Sequence, residues 1–183
     1  EMCIRDRLQA LALQIGSQVS YSEIGQLVGL DTKTVERYVD VLEKSYVIFR
    51  LGSFARNLRN ELKASRKIYF YDNGIRNAVL ANFSMLESRT NEEAGALWEN
   101  FIISERLKRN AYSDSYCNYW FWRTQQQKEI DYLEEEDGRI SSFEFKWNPA
   151  AKYKYPAQFL EAYPGTSFKV VTPVNVEEFL LDW

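Results

Sequence analysis

The stretch EIDYLEEEDGRISSFEFKW, residues 129–147, decides how the second half of this chain is read. Residues 129–133 and 140–147 alternate apolar and polar side chains, the period of a strand with one buried face. Between them Glu134-Glu135-Glu136-Asp137-Gly138 reads as the solvated turn of an antiparallel hairpin. On the second strand the alternation sends Phe143, Phe145 and Trp147 to one face and Glu144 and Lys146 to the other. On the first, Ile130 and Tyr132 alternate with Asp131, which is expected across the pair from Glu144.

Two carboxylates separated by one hairpin can chelate a Mg²⁺ ion through oxygen, leaving metal-bound water to attack a phosphodiester. Lys146 would position or deprotonate that water, or offset charge in the transition state. The plainer alternative is a cross-strand ion pair on a wet sheet face, worth about 0.5 kcal/mol. Composition narrows the chemistry in the same direction. The 183 residues contain no His and two Cys, with 23 Lys or Arg against 26 Asp or Glu. Without imidazole there is no Ser-His-Asp or Cys-His catalysis and no His-containing zinc site. Cys3 and Cys117 are too far apart for a CxxC motif, and so sparse a thiol content suits a reducing compartment. No apolar run approaches the roughly 18 residues of a membrane span and no signal-peptide core opens the chain, so a cytoplasmic protein with no membrane partner is expected. No GxxxxGK[ST] loop occurs, hence no ATP site is expected in this chain.

Working outward, residues 92–110 read as a long helix in which Ala94, Leu97, Trp98, Phe101, Ile102 and Glu105 recur three and four apart. Glu99 supplies a third acid if this helix packs on the sheet, with Glu105 as the alternative on the same helix. A strand over 116–123, a helix around 156–163 and a strand over 168–172 complete the order helix, three strands, helix, strand. The polar stretch 87–93 is the expected domain boundary. Before it, residues 1–80 hold 12 Lys or Arg against 9 Asp or Glu, whereas residues 81–183 hold 11 against 17. Leu8, Leu11, Ala12 and Ile15 share a helical face ahead of Gly16. Ser20 and Glu23 form a capping box for a helix ending at Gly29, and Asp31 caps another carrying Val35, Tyr38, Val39 and Leu42. With strands over 46–51 and 67–71, this half reads as a winged helix-turn-helix. The chain opens inside helical sequence, as a piece of something longer would, and residues 1–7 are set aside from the fold.

The ordered set of segments carries a resemblance. Asp131, then Glu144-Phe145-Lys146, after a helix bearing Glu99, resembles the PD-(D/E)xK nuclease superfamily. Across residues 8–183 the chain is similar to the C-terminal domain of unknown function that follows the P-loop module in prokaryotic AAA-type ATPases. The carrying segments are Thr34-Val35-Glu36-Arg37-Tyr38, Tyr69-Phe70-Tyr71-Asp72-Asn73-Gly74, Leu97-Trp98-Glu99-Asn100-Phe101, Trp122-Arg123-Thr124, Glu129-Ile130-Asp131-Tyr132 and Glu144-Phe145-Lys146. Gln127 stands where that family usually has Gly, and Asn73 where Thr is common.

The resemblance implies an α+β chain, a winged helix-turn-helix over 1–85 followed by a PD-(D/E)xK, restriction-endonuclease-like α/β core over 86–183. It implies catalysis by Asp131, Glu144, Lys146 and Glu99, with Mg²⁺ held by Asp131, Glu144 and Glu99, on a nucleic-acid substrate. An ATPase module is expected upstream. Nucleic-acid contacts are expected at Lys33 and Arg37 of the second capped helix, at Arg56 and Arg59 in the basic stretch 50–76, and at Arg123. Glu36, Asp40 and Glu43 dilute the charge of the helix, so the competing expectation is a non-catalytic DNA- or protein-binding module coupled to an ATPase.

Overall fold

The computed structural model describes residues 4–56, 65–113 and 116–181, with side chains from residue 8 onward. The chain is mixed α+β, and among the described residues it has seven α-helices, one short 3-10 turn and six strands in two sheets. It divides into two compact units, residues 1–50 with 66–104 and residues 51–65 with 105–183.

In the first unit α1 (Ile4–Leu13) buries Ala10, Leu11 and Ala12, and Gly16 turns the chain in the left-handed region at φ 71°. Ser20 caps α2 (Tyr21–Val28), its hydroxyl accepting from the Glu23 amide at 3.4 Å. Left-handed Gly29 ends that helix, and Asp31 caps α3 (Thr32–Lys44) by accepting from the Thr34 amide at 3.0 Å. These caps satisfy amides that have no partner inside the helix. Ile24 and Val28 of α2 and Val35 and Val39 of α3 are buried, each contributing about 1.5–3 kcal/mol. Gly25 permits the close approach of the turn that follows, since a Cβ there would stand 2.5 Å from the Leu30 carbonyl oxygen. β1 (Ile48–Gly52) and β2 (Arg66–Phe70) form a two-stranded sheet. Helix α4 (Asn73–Leu80) is an addition to the elements expected from sequence. Asp72-Asn73-Gly74 resembles a turn, but Asp72 accepts from the Ile75 amide at 3.0 Å and starts a helix.

Helix α5 (Asn91–Tyr112) gives its first part to one unit and its remainder to the other. The physical reason for this division is visible in each unit. Asn100, fully buried, accepts from the Phe70 amide at 2.7 Å and donates to the Phe70 carbonyl at 2.9 Å, binding α5 to β2 as another strand would. Residues 53 and 54 instead bridge to β3 (Asn118–Arg123): Ser53 pairs with Phe121, and the Phe54 amide donates to the Phe121 carbonyl at 2.7 Å.

The second unit is built on a four-stranded sheet in the order β3-β4-β5-β6, with β4 (Glu129–Glu136), β5 (Arg139–Phe145) and β6 (Ser167–Val171). The first two pairings are antiparallel and the last is parallel, with α6 (Ala157–Ala162) in the crossover and α7 (Val176–Leu181) after β6. The hairpin turn is only Asp137-Gly138, both at positive φ, and Glu136 pairs with Arg139. Two sequence expectations are corrected here. Glu134 to Glu136 are strand residues and Glu134 is 7% exposed, so the acidic tip is not a solvated turn as a whole.

The strict alternation on β4 also fails. Trp120 pairs with Leu133 but Trp122 with Ile130, so Asp131 and Tyr132 together oppose Phe121 in a β-bulge. Ile130 and Leu133 consequently share one cluster with Phe54, Trp122, Phe159 and Tyr163. Tyr132 packs its ring on Phe143, Phe145 and Phe179 instead. No described helix is long and apolar enough to cross a membrane.

Candidate functional site

The bulge places Asp131 at the end of the β4–β5 ladder. The register pairs Tyr132 with Phe143, so one step further sets Asp131 opposite Glu144. Here Asp131 uses its side chain as a strand would use its carbonyl: Oδ2 accepts from the Phe145 amide at 2.9 Å. Both carboxylates are withdrawn from water, Asp131 being 8% exposed and Glu144 4%. A buried carboxylate needs a partner charge or donor, and Lys146 supplies one, its Nζ lying 2.6 Å from Glu144 Oε1.

Tyr153, unremarked in the sequence, belongs to this group. Its hydroxyl donates to the Glu129 carbonyl at 2.8 Å, its ring stacks on Phe168, and the Lys146 ammonium lies 5.3 Å from its ring centre. Burial pushes its phenol well above the ordinary value, and the negative charges of Glu144 and Asp131 push it in the same direction. Both carboxylates thus act electrostatically on one phenol. Glu144 and Tyr153 line an open cleft of about 490 Å³ together with Gln127, Lys128, Glu129, Lys154 and Tyr155. Gln127, where a Gly is usual in the resembling family, has φ 62°, the left-handed region in which Gly is unstrained.

The other expected site residues have definite places. Glu99 lies in the first unit, where Oε1 accepts from Lys67 Nζ at 3.1 Å and from the Tyr69 hydroxyl at 2.5 Å. Lys67 is 2% exposed, so Glu99 serves there as its counter-charge. Among the described residues no group of three acids or thiols is arranged to hold a metal ion. Glu105, the alternative, pairs with Lys108 at 2.6 Å. Asn73 and Asn100 bond at 2.8 Å, which shows what the segments around Asp72 and Glu99 do for the fold.

Lys33 and Arg37 are exposed on α3, as is Glu36. Arg123 pairs with Glu129 across β3 and β4 at 3.2 Å. Arg56 forms a two-pronged ion pair with Glu135, both distances 2.7 Å, and lies over the rings of Phe54 and Trp120. Arg59 falls outside the described residues. Among the described residues of the basic stretch 50–76, Arg50 pairs with Asp40 and Glu43, and Arg76 with Glu93.

A second polar centre was hidden in the acidic tip. Glu134 accepts from Arg106 Nε and Nη2 at 2.9 and 2.7 Å, from Asn110 at 2.8 Å and from the Tyr132 hydroxyl at 3.0 Å. It lies in a cavity of about 420 Å³ bordered by Arg109, Cys117 and Arg139, where burial pushes the Cys117 thiol up. The signal for Glu134 was its place on a strand of hydrophobic partners, masked by three acidic neighbours.

Residues 2–86 match the family model of a domain of unknown function (DUF8612), and residues 94–178 match that of a second (DUF4143). Two uncharacterized proteins, one of Mycobacterium bovis and one of Mycobacterium tuberculosis, are each 31% identical over 136 residues, which is 74% of this chain and 30% of the relative. The chain thus spans about 30% of the length of these curated relatives. No solved structure matches. The chain is therefore similar to two domains of unknown function in tandem, and the matches leave between them residues 87–93, the polar stretch.

Proposed function

We propose that the second unit is a PD-(D/E)xK nuclease-like domain that hydrolyses phosphodiesters with Mg²⁺, in an ATPase-associated protein whose N-terminal winged helix-turn-helix docks nucleic acid or partner. The observation that carries this reading is Glu144, which lines an open cleft and is buried against the Lys146 ammonium, with Asp131 on a β-bulge of the neighbouring strand. Bulges recur beside active sites because they re-aim a side chain.

The donor set fits a hard cation. Mg²⁺ binds through one or two carboxylates and keeps several waters, and Glu144 already holds one positive charge at 2.6 Å. Asp131 and Glu144 would hold the ion. When bound, it would lower the pKa of a water and neutralise phosphoryl charge. Lys146, whose Nζ lies 5.3 Å from the Tyr153 ring centre, would offset negative charge on a departing or attacking oxygen. Tyr153 is itself anchored at Glu129.

A second reading, a non-catalytic binding module, draws support from Glu99, whose carboxylate is occupied by Lys67 and Tyr69 and so gives the carboxylate pair no evident third ligand. Calorimetric titration with Mn²⁺ and nicking of supercoiled plasmid separate the two. The nuclease reading expects heat of binding that Asp131→Ala abolishes, and nicking lost in both Asp131→Ala and Lys146→Met. Absence of both heat and nicking in the unaltered protein refutes the enzyme and leaves the module.

A further inference from the structure

The segment over residues 151–156, Ala-Lys-Tyr-Lys-Tyr-Pro, runs between β5 and α6 without regular secondary structure, yet it is firmly held. Its two tyrosines are half-buried and its two lysines exposed. Tyr153 stacks on Phe168 and donates to the Glu129 carbonyl; Tyr155 packs on Phe168 at 4.2 Å and on Phe159 at 6.2 Å, with its hydroxyl 2.9 Å from Ser142 Oγ. The alternation therefore fixes a strap by its aromatic side and turns Lys152 and Lys154 outward. Lys154 borders the same cleft as Glu144, and Lys128, also exposed, borders it too.

Two of the arginines expected to meet phosphates are committed elsewhere, Arg56 to Glu135 and Arg123 to Glu129, while Arg37 lies exposed on α3. Lys152 and Lys154 belong to no ion pair among the described residues, and Lys128 reaches only the neutral Gln158 at 3.4 Å. A fixed backbone carrying exposed ammonium groups, with Lys154 bordering the cleft of Glu144, suits a polyanion that must come close to that acid. The ammonium groups offset the repulsion its phosphates would meet from Asp131 and Glu144.

We infer that Lys152, Lys154 and Lys128 form the phosphate-contacting rim for a nucleic-acid backbone, delivering a phosphodiester to the cleft over Glu144. This rests on the nuclease-like reading of the cleft. Each phosphate neutralised on duplex DNA steepens the dependence of log affinity on log salt by about 0.9. Replacing both strap lysines should therefore flatten the slope by about 1.8. That corresponds to roughly a tenfold smaller loss of affinity between 50 and 200 mM salt.

The test is fluorescence anisotropy of a labelled 20-base-pair duplex with the whole chain over that salt range. It compares the unaltered protein, Lys152→Gln/Lys154→Gln, Lys33→Gln/Arg37→Gln and Asp131→Ala, each with a thermal melt. The rim predicts that the strap variant melts normally, binds at least tenfold more weakly at 50 mM salt and shows the flatter slope. The α3 variant stays within about twofold of the unaltered protein. Unchanged affinity and slope in the strap variant overturn the inference, as does salt-independent binding by the unaltered protein. Nicking that depends on Asp131 but is indifferent to the strap would sink the rim and spare the nuclease reading. Strap-dependent binding by a protein that never nicks would do the reverse.

Discussion

Replacing Glu134 by Leu separates the two accounts of the acidic hairpin. A solvated turn residue would be nearly silent, whereas the structure makes Glu134 the acceptor for four donors: two from Arg106 and one each from Asn110 and Tyr132. Arg106 is 14% exposed at the side chain and Glu134 8%, so deleting the carboxylate leaves a guanidinium without its counter-charge. Breaking one half of such a pair costs about 3–5 kcal/mol, most of it the stranded charge. The Phe179 carbonyl and ring beneath Arg106 soften this, which places Glu134→Leu near 3 kcal/mol. At about 4–8 °C per kcal/mol for a unit of this size, the melting point of the second unit should fall by roughly 12–24 °C. The assay is equilibrium guanidinium unfolding followed by tryptophan fluorescence, alongside a thermal melt. Arg106→Met alone should cost a similar amount. The double variant Arg106→Met/Glu134→Leu should recover much of the loss, because neither charge is then stranded. A cost below about 1 kcal/mol for Glu134→Leu is the value of an exposed ion pair, and it would return Glu134 to solvent and refute the buried network.

Gln127→Gly should raise stability by about 0.5–1 kcal/mol in the same unfolding assay, since a left-handed residue with a Cβ is strained there; a loss would mean the side chain is needed at the cleft. Acid unfolding should show the contribution of Glu93. Burial raises its pKa, but hydrogen bonds and charge from Arg76 and Arg89 outweigh this and hold it below the ordinary carboxylate value. A lowered folded-state pKa means stability fully present above the unfolded-state value and lost as pH falls through the folded one. Glu93→Gln should therefore be less stable than the unaltered protein at neutral pH and converge with it in acid, and a constant difference across the range would contradict the assignment.

Much of the candidate site was legible because strands alternate. Asp131, Glu144 and Lys146 were nameable from period two on adjoining strands, and the caps at Ser20 and Asp31 from short-range hydrogen bonding. Residues whose role depends on a distant partner were not. Glu99 and Asn100 sit side by side in one motif, yet their partners on β2 lie about thirty residues away and turn them toward holding α5 in place. Tyr153 offered no local signal because its value lies in touching Lys146, Phe168 and the Glu129 carbonyl at once.

The sequence by itself determined most of the elements, the caps at Ser20 and Asp31 and the chemistry open to a chain without His, because these follow from local periodicity, capping and composition, but not α4, α7 or the short Asp137-Gly138 turn. Only the tertiary structure decided where the charges go. It paired the basic stretch with Glu43, Glu99 and Glu135, buried Glu134 under Arg106, and slipped β4 by one residue so that Ile130 and Tyr132 face different clusters. Charge pairing and burial are long-range properties, and a bulge depends on the register of two strands together, so neither can be read from one segment alone.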